Sequence, residues 1–239
     1  MADLRLLYTN DMHGRTASLD LLARQPRDAR TLLLDGGDAL CGSNTVYRRH
    51  EPVLDQMREL GFAAMAMGNR ELHYLRRVMG WRRDQRRFPL LAANLIDLRN
   101  AHHDLWQSVL EFQVEDLKVG LIGATVVQYP HGSLWERLFG LRFFQPEDCL
   151  PQLVEEMRPR CDLVLLLSHL GFEVDCRIAP RLPRVDLILG AHSHTVLEEP
   201  HRVGGVPIVQ AGSHSRYLAE LRLGSGQLEY RLHSPALVA

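Results

Sequence analysis

Five clusters of potential metal ligands occur in order along the chain, each beside a short apolar run of β-strand length. The clusters are Asp11-Met12-His13, Gly37-Asp38, Gly68-Asn69, Ser168-His169 and Gly190-Ala191-His192-Ser193-His194. In layered α/β folds the loops at the carboxyl ends of strands converge on one edge. Any single cluster would be uninformative, but together they supply seven donor side chains. That number is enough to close two metal sites if one carboxylate is shared.

The mixture of donor atoms indicates the kind of ion. Imidazole nitrogens combined with carboxylate and amide oxygens suit borderline divalent ions, with manganese as the first choice and zinc or iron as alternatives. The set suits neither an all-thiolate structural zinc site nor an all-oxygen calcium site. Two such ions about 3.5–4 Å apart can generate hydroxide at neutral pH and hold phosphoryl oxygens in line for hydrolysis.

Spacing within the clusters supports part of this interpretation. In an extended chain, residues two apart point the same way, so Asp11 and His13 can address one ion. His192 and His194 would do likewise on a straight strand. Only a turn after Gly190 would let them address different ions.

The order Asp-x-His, Gly-Asp, Gly-Asn, His, Gly-x-His-x-His resembles the calcineurin-like metallophosphoesterase superfamily. The flanking sequence resembles its 5′-nucleotidase branch, and the resemblance runs from about residue 6 to about residue 223. The segments that match are residues 6–14, 35–38, 42–43, 91–95, 185–190 and 209–213.

The resemblance implies a four-layer αββα sandwich of two mixed β-sheets flanked by helices, formed as one domain over residues 1–239. It further implies that the chain hydrolyses a small phosphomonoester, for example a nucleotide, by attack of a metal-bridged hydroxide. The first cation would be bound by Asp11, His13, Asp38 and His194. The second would be bound by Asp38, Asn69, His169 and His192. Asn69 would also contact the substrate.

The chain departs from the family directly after Gly-Asn, where the family has a histidine that touches the phosphate and helps the leaving oxygen depart. Arg70 occupies that position, and His73 replaces an aspartate that orients the histidine in the nucleotidase branch. Arginine cannot act as a general acid near neutral pH, but it can clamp phosphate oxygens. Arg70 is therefore either a phosphate clamp or an exposed charge at a helix start in a degraded site. His73 is the remaining candidate for the acid.

Three further histidines are weaker candidates. His214 follows a Gln-Ala-Gly segment that lies near the metals in the family, so it is expected to line the substrate pocket. His102 and His103 lie in a polar loop and are expected to be solvated.

Apolar patterning predicts the elements that position these motifs. Strands are predicted at residues 4–8, 31–34, 63–67, 89–93, 108–114, 118–124, 162–167, 186–189, 207–210, 217–223 and 227–232, and helices at 51–60 and 146–158. A hairpin is predicted at residues 115–116 and a turn at 224–226. The arginine pairs between Arg76 and Arg87 are expected on a solvated helix face.

Composition narrows the class of protein. A hydrophobic content of 46% permits a full core, and a net charge of −1 gives no electrostatic case for a nucleic-acid or membrane partner. The four cysteines include no CxxC pair and indicate free thiols, with Cys41 expected to be buried. Because the first cluster begins at Asp11, leaving no room for a secretory segment, we expect a cytoplasmic location. The sequence does not determine the oligomeric state.

Other functions stay open. A phosphodiesterase of the same fold is the nearest alternative, and a non-catalytic metal- or phosphate-binding relative would explain Arg70. Hydrolysis of a thioester or sulfur anion is also compatible, since a fold does not fix the substrate. Relatives with the nucleotidase signature usually have a C-terminal domain that stacks the nucleobase. We expect this chain, which ends at Ala239, to lack that domain, so nucleotide specificity is not implied.

Overall fold

A computed structural model of the protein describes residues 4–100, 104–224 and 227–234. Two large β-sheets and a small one form within these residues. The strands are β1 (Leu4–Thr9), β2 (Thr31–Asp35), β3 (Ala64–Ala66), β4 (Leu90–Leu91), β5 (Leu95–Asp97), β6 (Val109–Val114), β7 (Leu117–Thr125), β8 (Leu141–Phe143), β9 (Leu163–His169), β10 (Leu187–Gly190), β11 (His201–Val203), β12 (Val206–Val209), β13 (Leu218–Gly224) and β14 (Gln227–His233). The α-helices are α1 (Ala17–Ala23), α2 (Pro52–Leu60), α3 (Arg76–Arg86), α4 (Leu134–Phe139), α5 (Pro146–Met157) and α6 (Phe172–Ile178).

Both large sheets are mixed. The first has the strand order β14-β13-β1-β2-β3-β4, and the second has the order β11-β12-β10-β9-β7-β6. Strands β1 to β4 run parallel, as do β7, β9, β10 and β12, while β13, β14, β6 and β11 are antiparallel to their neighbours. Strands β5 and β8 form a separate antiparallel pair. All the predicted ligand clusters therefore follow parallel strands, at their carboxyl ends.

The alternation of side chains along each strand creates the layers. Leu6 and Tyr8 face the second sheet, where they pack in one cluster with Leu165 and Leu167. Leu7, between them, lies on the opposite face, in the cluster that includes residues of α1, α2 and α3. Residues of α5 and α6 pack in the same way on the outer face of the second sheet. The result is helices, sheet, sheet, helices, which confirms the predicted αββα sandwich.

Local signals in the sequence fix several elements. Helix α2 has Pro52 in its first turn, where a backbone N–H would have no acceptor within the helix, so proline loses no hydrogen bond there. The helix ends at Gly61, which has φ 82°. Strands β6 and β7 form the predicted hairpin, with Glu115 at φ 54° in its turn. All eleven predicted strands are present, with bounds within two residues of those predicted. Helices α1, α4 and α6 and the short strands β5, β8 and β11 were not predicted, because their apolar patterns are short.

Two smaller expectations were wrong, the first of them only in part, since Arg76, Arg77 and Arg87 are exposed as expected. Arg82 and Arg86 of α3 are each 4% exposed rather than solvated, because their guanidinium groups donate to backbone carbonyls beneath the helix. Cys41 is exposed rather than buried, because it lies in the loop after β2 rather than on the strand.

Two predictions concern residues outside the described ranges. His102 and His103 lie there, and so does most of the turn predicted at 224–226. Within the described ranges, the helices are all too short or too polar to cross a lipid bilayer.

Candidate metal centre

The carboxyl ends of five parallel strands from the two sheets meet at one edge of the sandwich. Hydrogen bonds join the sheets there: the Tyr8 hydroxyl donates to the Gly190 carbonyl at 2.8 Å, and His169 Nδ1 donates to the Gly36 carbonyl at 2.7 Å. The His192 N–H donates to Asp11 Oδ2 at 2.9 Å. These hydrogen bonds hold loops that are far apart in the sequence in fixed positions around one small volume.

One group of ligand candidates surrounds Asp11. Donor atoms of Asp11, His13 and Asp38 all lie within 4.8 Å of one another. His194 joins them, since its Nε2 lies 3.0 Å from His13 Nε2 and 3.6 Å from Asp11 Oδ1. These four residues are the set expected at the first cation.

A second group surrounds His169. Its Nε2 lies 3.3 Å from Asn69 Oδ1 and 3.6 Å from Asp38 Oδ1. The ring of His192 stands with its centroid 5.1 Å from that of His169. Asp38 therefore lies beside both groups, which is the position that a shared carboxylate requires.

The backbone reaches this arrangement through left-handed turns, not extended chain. Strand β1 ends at Thr9, so the prediction that Asp11 and His13 share a face of an extended segment was wrong. Strand β10 ends at Gly190, and a tight turn follows in which the Ser193 N–H donates to the Ala191 carbonyl. Positive φ angles of 48–73° occur at Asp11, His13, Asp38, His192, His194 and His214. Non-glycine residues rarely adopt this conformation, and such strain concentrates at functional sites.

Two glycines allow the loops to approach so closely. A Cβ at Gly37, where φ is 93°, would lie 2.7 Å from the Gly68 backbone nitrogen and 2.9 Å from His169 Nδ1. A Cβ at Gly68 would lie 2.4 Å from the backbone nitrogen and Oδ1 of Asp38. The Gly-Asp and Gly-Asn motifs therefore need glycine because any side chain would push Asp38 away from its neighbours.

Glu71 positions the Asp38 loop, although no sequence pattern singled it out. Its buried carboxylate accepts backbone N–H groups from Asp38 at 2.7 Å, Ala39 at 3.0 Å, Leu40 at 3.3 Å and Gly68 at 2.9 Å. Four donors converging on one carboxylate fix both loops at once. The only available signal was a lone acid three residues after the Gly68 glycine.

We predict that Glu71→Gln lowers the free energy of unfolding by about 2–6 kcal/mol, because the amide nitrogen would face two backbone N–H donors and leave them unpaired at about 1–3 kcal/mol each. Urea unfolding followed by circular dichroism measures the change. Glu59→Gln is the matched control, since that side chain is 72% exposed and should shift stability little. An unchanged midpoint for Glu71→Gln would contradict the positioning role.

Asn10 fixes the position of Asp11 by hydrogen bonds, as Glu71 does for the Asp38 loop. Its amide donates to Asp11 Oδ2 at 2.8 Å and to the Gly212 carbonyl at 2.7 Å, while its oxygen accepts the Ala211 N–H. Asp11 Oδ1 is left buried without a hydrogen-bond partner among the described residues. A buried acceptor that the surrounding network leaves free, on a side chain otherwise held in place, is suited to a cation.

The electrostatics of the cluster also favour cation binding. Burial lowers the pKa of His13 to about 3, with the Arg70 charge as the next cause, and burial lowers the pKa of His169 and His192 to about 4. Burial raises the pKa of Asp11 to about 8 and that of Asp38 to about 6. Neutral imidazoles are ready to coordinate, and buried carboxyl groups of raised pKa would ionise when a divalent cation is next to them. The donor set therefore fits two divalent ions.

Arg70 lies at the rim of the cluster. Its backbone N–H donates to Asp38 Oδ1 at 2.8 Å, and its Nε lies 3.7 Å from Asp38 Oδ2. Its Nη1 donates to the carbonyls of Cys41 and Gly42 at 3.1 and 3.2 Å, and 33% of the side chain is exposed. Helix α3 begins at Arg76, so Arg70 is not a charge at a helix start. The guanidinium is fixed beside Asp38 with one side open to solvent.

His73 is placed differently from the other candidates. Its side chain is 2% exposed, and its Nδ1 accepts the Leu75 N–H at 3.0 Å. Burial, followed by the charge of Arg82, lowers its pKa to about 4. A ring shielded from solvent and neutral at neutral pH has no route to protonate a substrate, so the structure gives the expected role as acid no support.

The ring of His214 lies next to the group of ligand candidates that surrounds Asp11. Its ring centroid lies 4.8 Å from that of His13 and 5.5 Å from that of His194. It is half-buried, and its position in the loop after β12 follows the expected segment.

The layered fold and the candidate ligands around Asp38 are those expected of a metallophosphoesterase-type α/β protein. A sequence profile of the calcineurin-like phosphoesterase family matches residues 4–196, and the chain belongs to this family.

Individual relatives agree with this assignment. The chain is 26% identical over 247 residues to an uncharacterised metallophosphoesterase, YunD, of Bacillus subtilis strain 168, covering 97% of this chain and 52% of that protein. It is 29% identical over 268 residues to the 5′-nucleotidase of Bos taurus, covering 92% of this chain and 46% of that protein. It therefore spans about half the length of these curated relatives. The solved 5′-nucleotidase precursor of Thermus thermophilus has the same fold, with a TM-score of 0.76 at 23% identity, over 98% of this chain and 55% of that one.

Proposed function

We propose that the protein is a dimetal-dependent phosphohydrolase that cleaves a small phosphomonoester, for example a nucleotide. The observation that supports this most directly is the position of Asp38, with His169 Nε2 at 3.6 Å on one side and donor atoms of Asp11 and His13 within 4.8 Å on the other. A carboxylate between two sets of nitrogen and oxygen donors is the arrangement that a two-cation hydrolase needs.

Each residue would have a defined task in this reaction. Asp11, His13, Asp38 and His194 would hold one cation, and Asp38, Asn69, His169 and His192 the other. When bound, two such ions supply a nucleophile at neutral pH and neutralise charge on the phosphoryl group. Manganese is the ion we propose first, with zinc or iron as alternatives. The Gly36 carbonyl holds His169 Nδ1 protonated, which leaves Nε2 free for coordination.

Arg70 would bind the substrate rather than protonate it. Its guanidinium is fixed by two backbone carbonyls and by Asp38, so its remaining N–H groups can face phosphate oxygens without further ordering. Because arginine is a poor proton donor near neutral pH, the leaving oxygen would depart with little protonation. We therefore propose that substrates with stable leaving groups, such as aryl phosphates and phosphoanhydrides, are hydrolysed faster than alkyl phosphates.

We also propose that residues 1–239 act as one catalytic domain, since clusters of both sheets contribute to the same centre. The expected cytoplasmic location stays a prediction.

Metal removal and replacement test the proposed function. We expect turnover of p-nitrophenyl phosphate to disappear after chelation and dialysis and to return on addition of Mn²⁺, with Zn²⁺, Fe²⁺ and Mg²⁺ compared in turn. A panel of phosphorylated metabolites, assayed with the best ion, would then identify the substrate class. His192→Ala, purified in the same way, is the control for contaminating phosphatases and should be inactive.

Two outcomes would favour other functions. Faster turnover of bis(p-nitrophenyl) phosphate than of the monoester would make the protein a phosphodiesterase. Binding of two ions without turnover of either ester would make it a non-catalytic metal-binding relative.

A further inference from the structure

The loop after β12 brings a fifth side chain to the first ligand group. Donor atoms of His13, His194 and His214 lie within 4.8 Å of one another. His13 also belongs to the group it forms with Asp11 and Asp38. Because one histidine is common to both groups, His214 faces the same volume as the ligands of the first cation.

The orientation of the His214 ring leaves one nitrogen available. Its Nδ1 lies 2.8 Å from Ser213 Oγ, which can accept the Nδ1 proton. In that tautomer Nε2 is unprotonated and free to coordinate, which is how a hydrogen bond to one ring nitrogen prepares the other for a metal.

The backbone of this loop is strained and anchored. His214 and Ser215 have φ of 59° and 60°, a conformation that is costly for two successive non-glycine residues. The His214 N–H donates to the Asp11 carbonyl at 2.7 Å, and Ser215 Oγ lies 2.6 Å from Ser18 Oγ at the start of α1. These contacts hold the imidazole against the first ligand group, so the strained backbone serves to place His214.

We propose that His214 is a protein ligand of the first cation, which completes a cap of three imidazoles with His13 and His194. This inference rests on the proposed metal centre and moves His214 from the substrate pocket, where the sequence placed it, to the ion. Nitrogens that bind one ion at about 2.0–2.1 Å lie about 3.3 Å apart in a tetrahedral site. His13 Nε2 and His194 Nε2 are already 3.0 Å apart, and the His214 donor lies within 4.8 Å of both rings' donors.

Titration of the metal-free protein with Co²⁺ tests the inference without an activity assay. Visible absorption reports the ligand set, and calorimetry reports the two affinities. His214→Gly is the variant of choice because glycine accepts φ 59° without strain and the loop should still fold. We expect it to weaken one Co²⁺ site by at least about tenfold and to change its absorption bands, while the other site is unchanged.

His201→Ala is the matched control, since His201 is an exposed histidine on β11 outside the cluster. It should bind two Co²⁺ ions as the unmodified protein does. Unchanged affinity and absorption in His214→Gly would overturn the assignment, and so would failure of the unmodified protein to bind Co²⁺. Two bound ions with the expected loss in His214→Gly, but no turnover of any ester, would refute the proposed function and leave the His214 assignment standing. Circular dichroism confirms that both variants are folded.

Discussion

Replacing Asp38 by asparagine is expected to reduce turnover of p-nitrophenyl phosphate by at least about 10³-fold, the equivalent of about 4 kcal/mol in the barrier. Asp38 lies beside both ligand groups, with His169 at 3.6 Å and with Asp11 and His13 within 4.8 Å. Asparagine keeps the shape of the side chain and one oxygen, but it removes the negative charge that two neighbouring cations would share. The expected loss therefore comes from metal binding, and the fold should survive.

Two measurements distinguish a loss of metal binding from a loss of folding. Metal analysis after dialysis against Mn²⁺ should give two ions for the unmodified protein and one or none for Asp38→Asn. Thermal unfolding without metal should change by only a few degrees. Asp55→Asn is the control, because Asp55 is partly exposed and paired with Arg58 on α2. Full metal content in Asp38→Asn would contradict a shared carboxylate.

Replacing Arg70 by histidine is expected to raise turnover of alkyl phosphates relative to aryl phosphates. General acid catalysis contributes about 10²–10⁴-fold where the leaving group needs a proton, so the alkyl-to-aryl ratio should rise by at least about tenfold. The gain is expected to be incomplete because no carboxylate stands at position 73 to orient a new histidine, and His73 Nδ1 is already occupied by the Leu75 N–H.

Parallel assays of glycerol phosphate and p-nitrophenyl phosphate measure this ratio under the same metal conditions. Arg70→Lys is the matched control, since it keeps the positive charge without providing a good acid near neutral pH, and it should not raise the ratio. A ratio in Arg70→His that is unchanged or lower would show that leaving-group protonation does not limit the reaction.

Much of the fold was predictable because strand patterning and motif order are local signals. The apolar runs before Asp11, Asp38 and Asn69 predicted strands, and in layered α/β folds the loops at the carboxyl ends of strands converge on one edge. The five ligand clusters were therefore expected to lie close together at that edge. The structure places the predicted ligands together there, although their roles as ligands stay predictions.

Other features of the site could not be predicted, because they depend on contacts between distant loops. The left-handed turns at Asp11 and Asp38 are stabilised by hydrogen bonds from other motifs, not by their own residue types. The role of Glu71 depends on four backbone N–H donors, three of them in the Asp38 loop, which no local sequence signal indicates. The burial of His73 and Arg82 likewise depends on how α3 packs, and the arginine-rich sequence of that helix gives no sign of this burial.

The pairing of β1 with β13 has a consequence for synthesis on the ribosome. Leu4 lies opposite Leu223, so β1 is synthesised long before β13 can cover its edge. His192, His194 and the loop that bears His214 also leave the exit tunnel late. Assembly of the candidate metal centre therefore has to wait for synthesis of this loop, and a nascent chain that stalls before His192 would present Asp11 and Asp38 without most of their histidine partners.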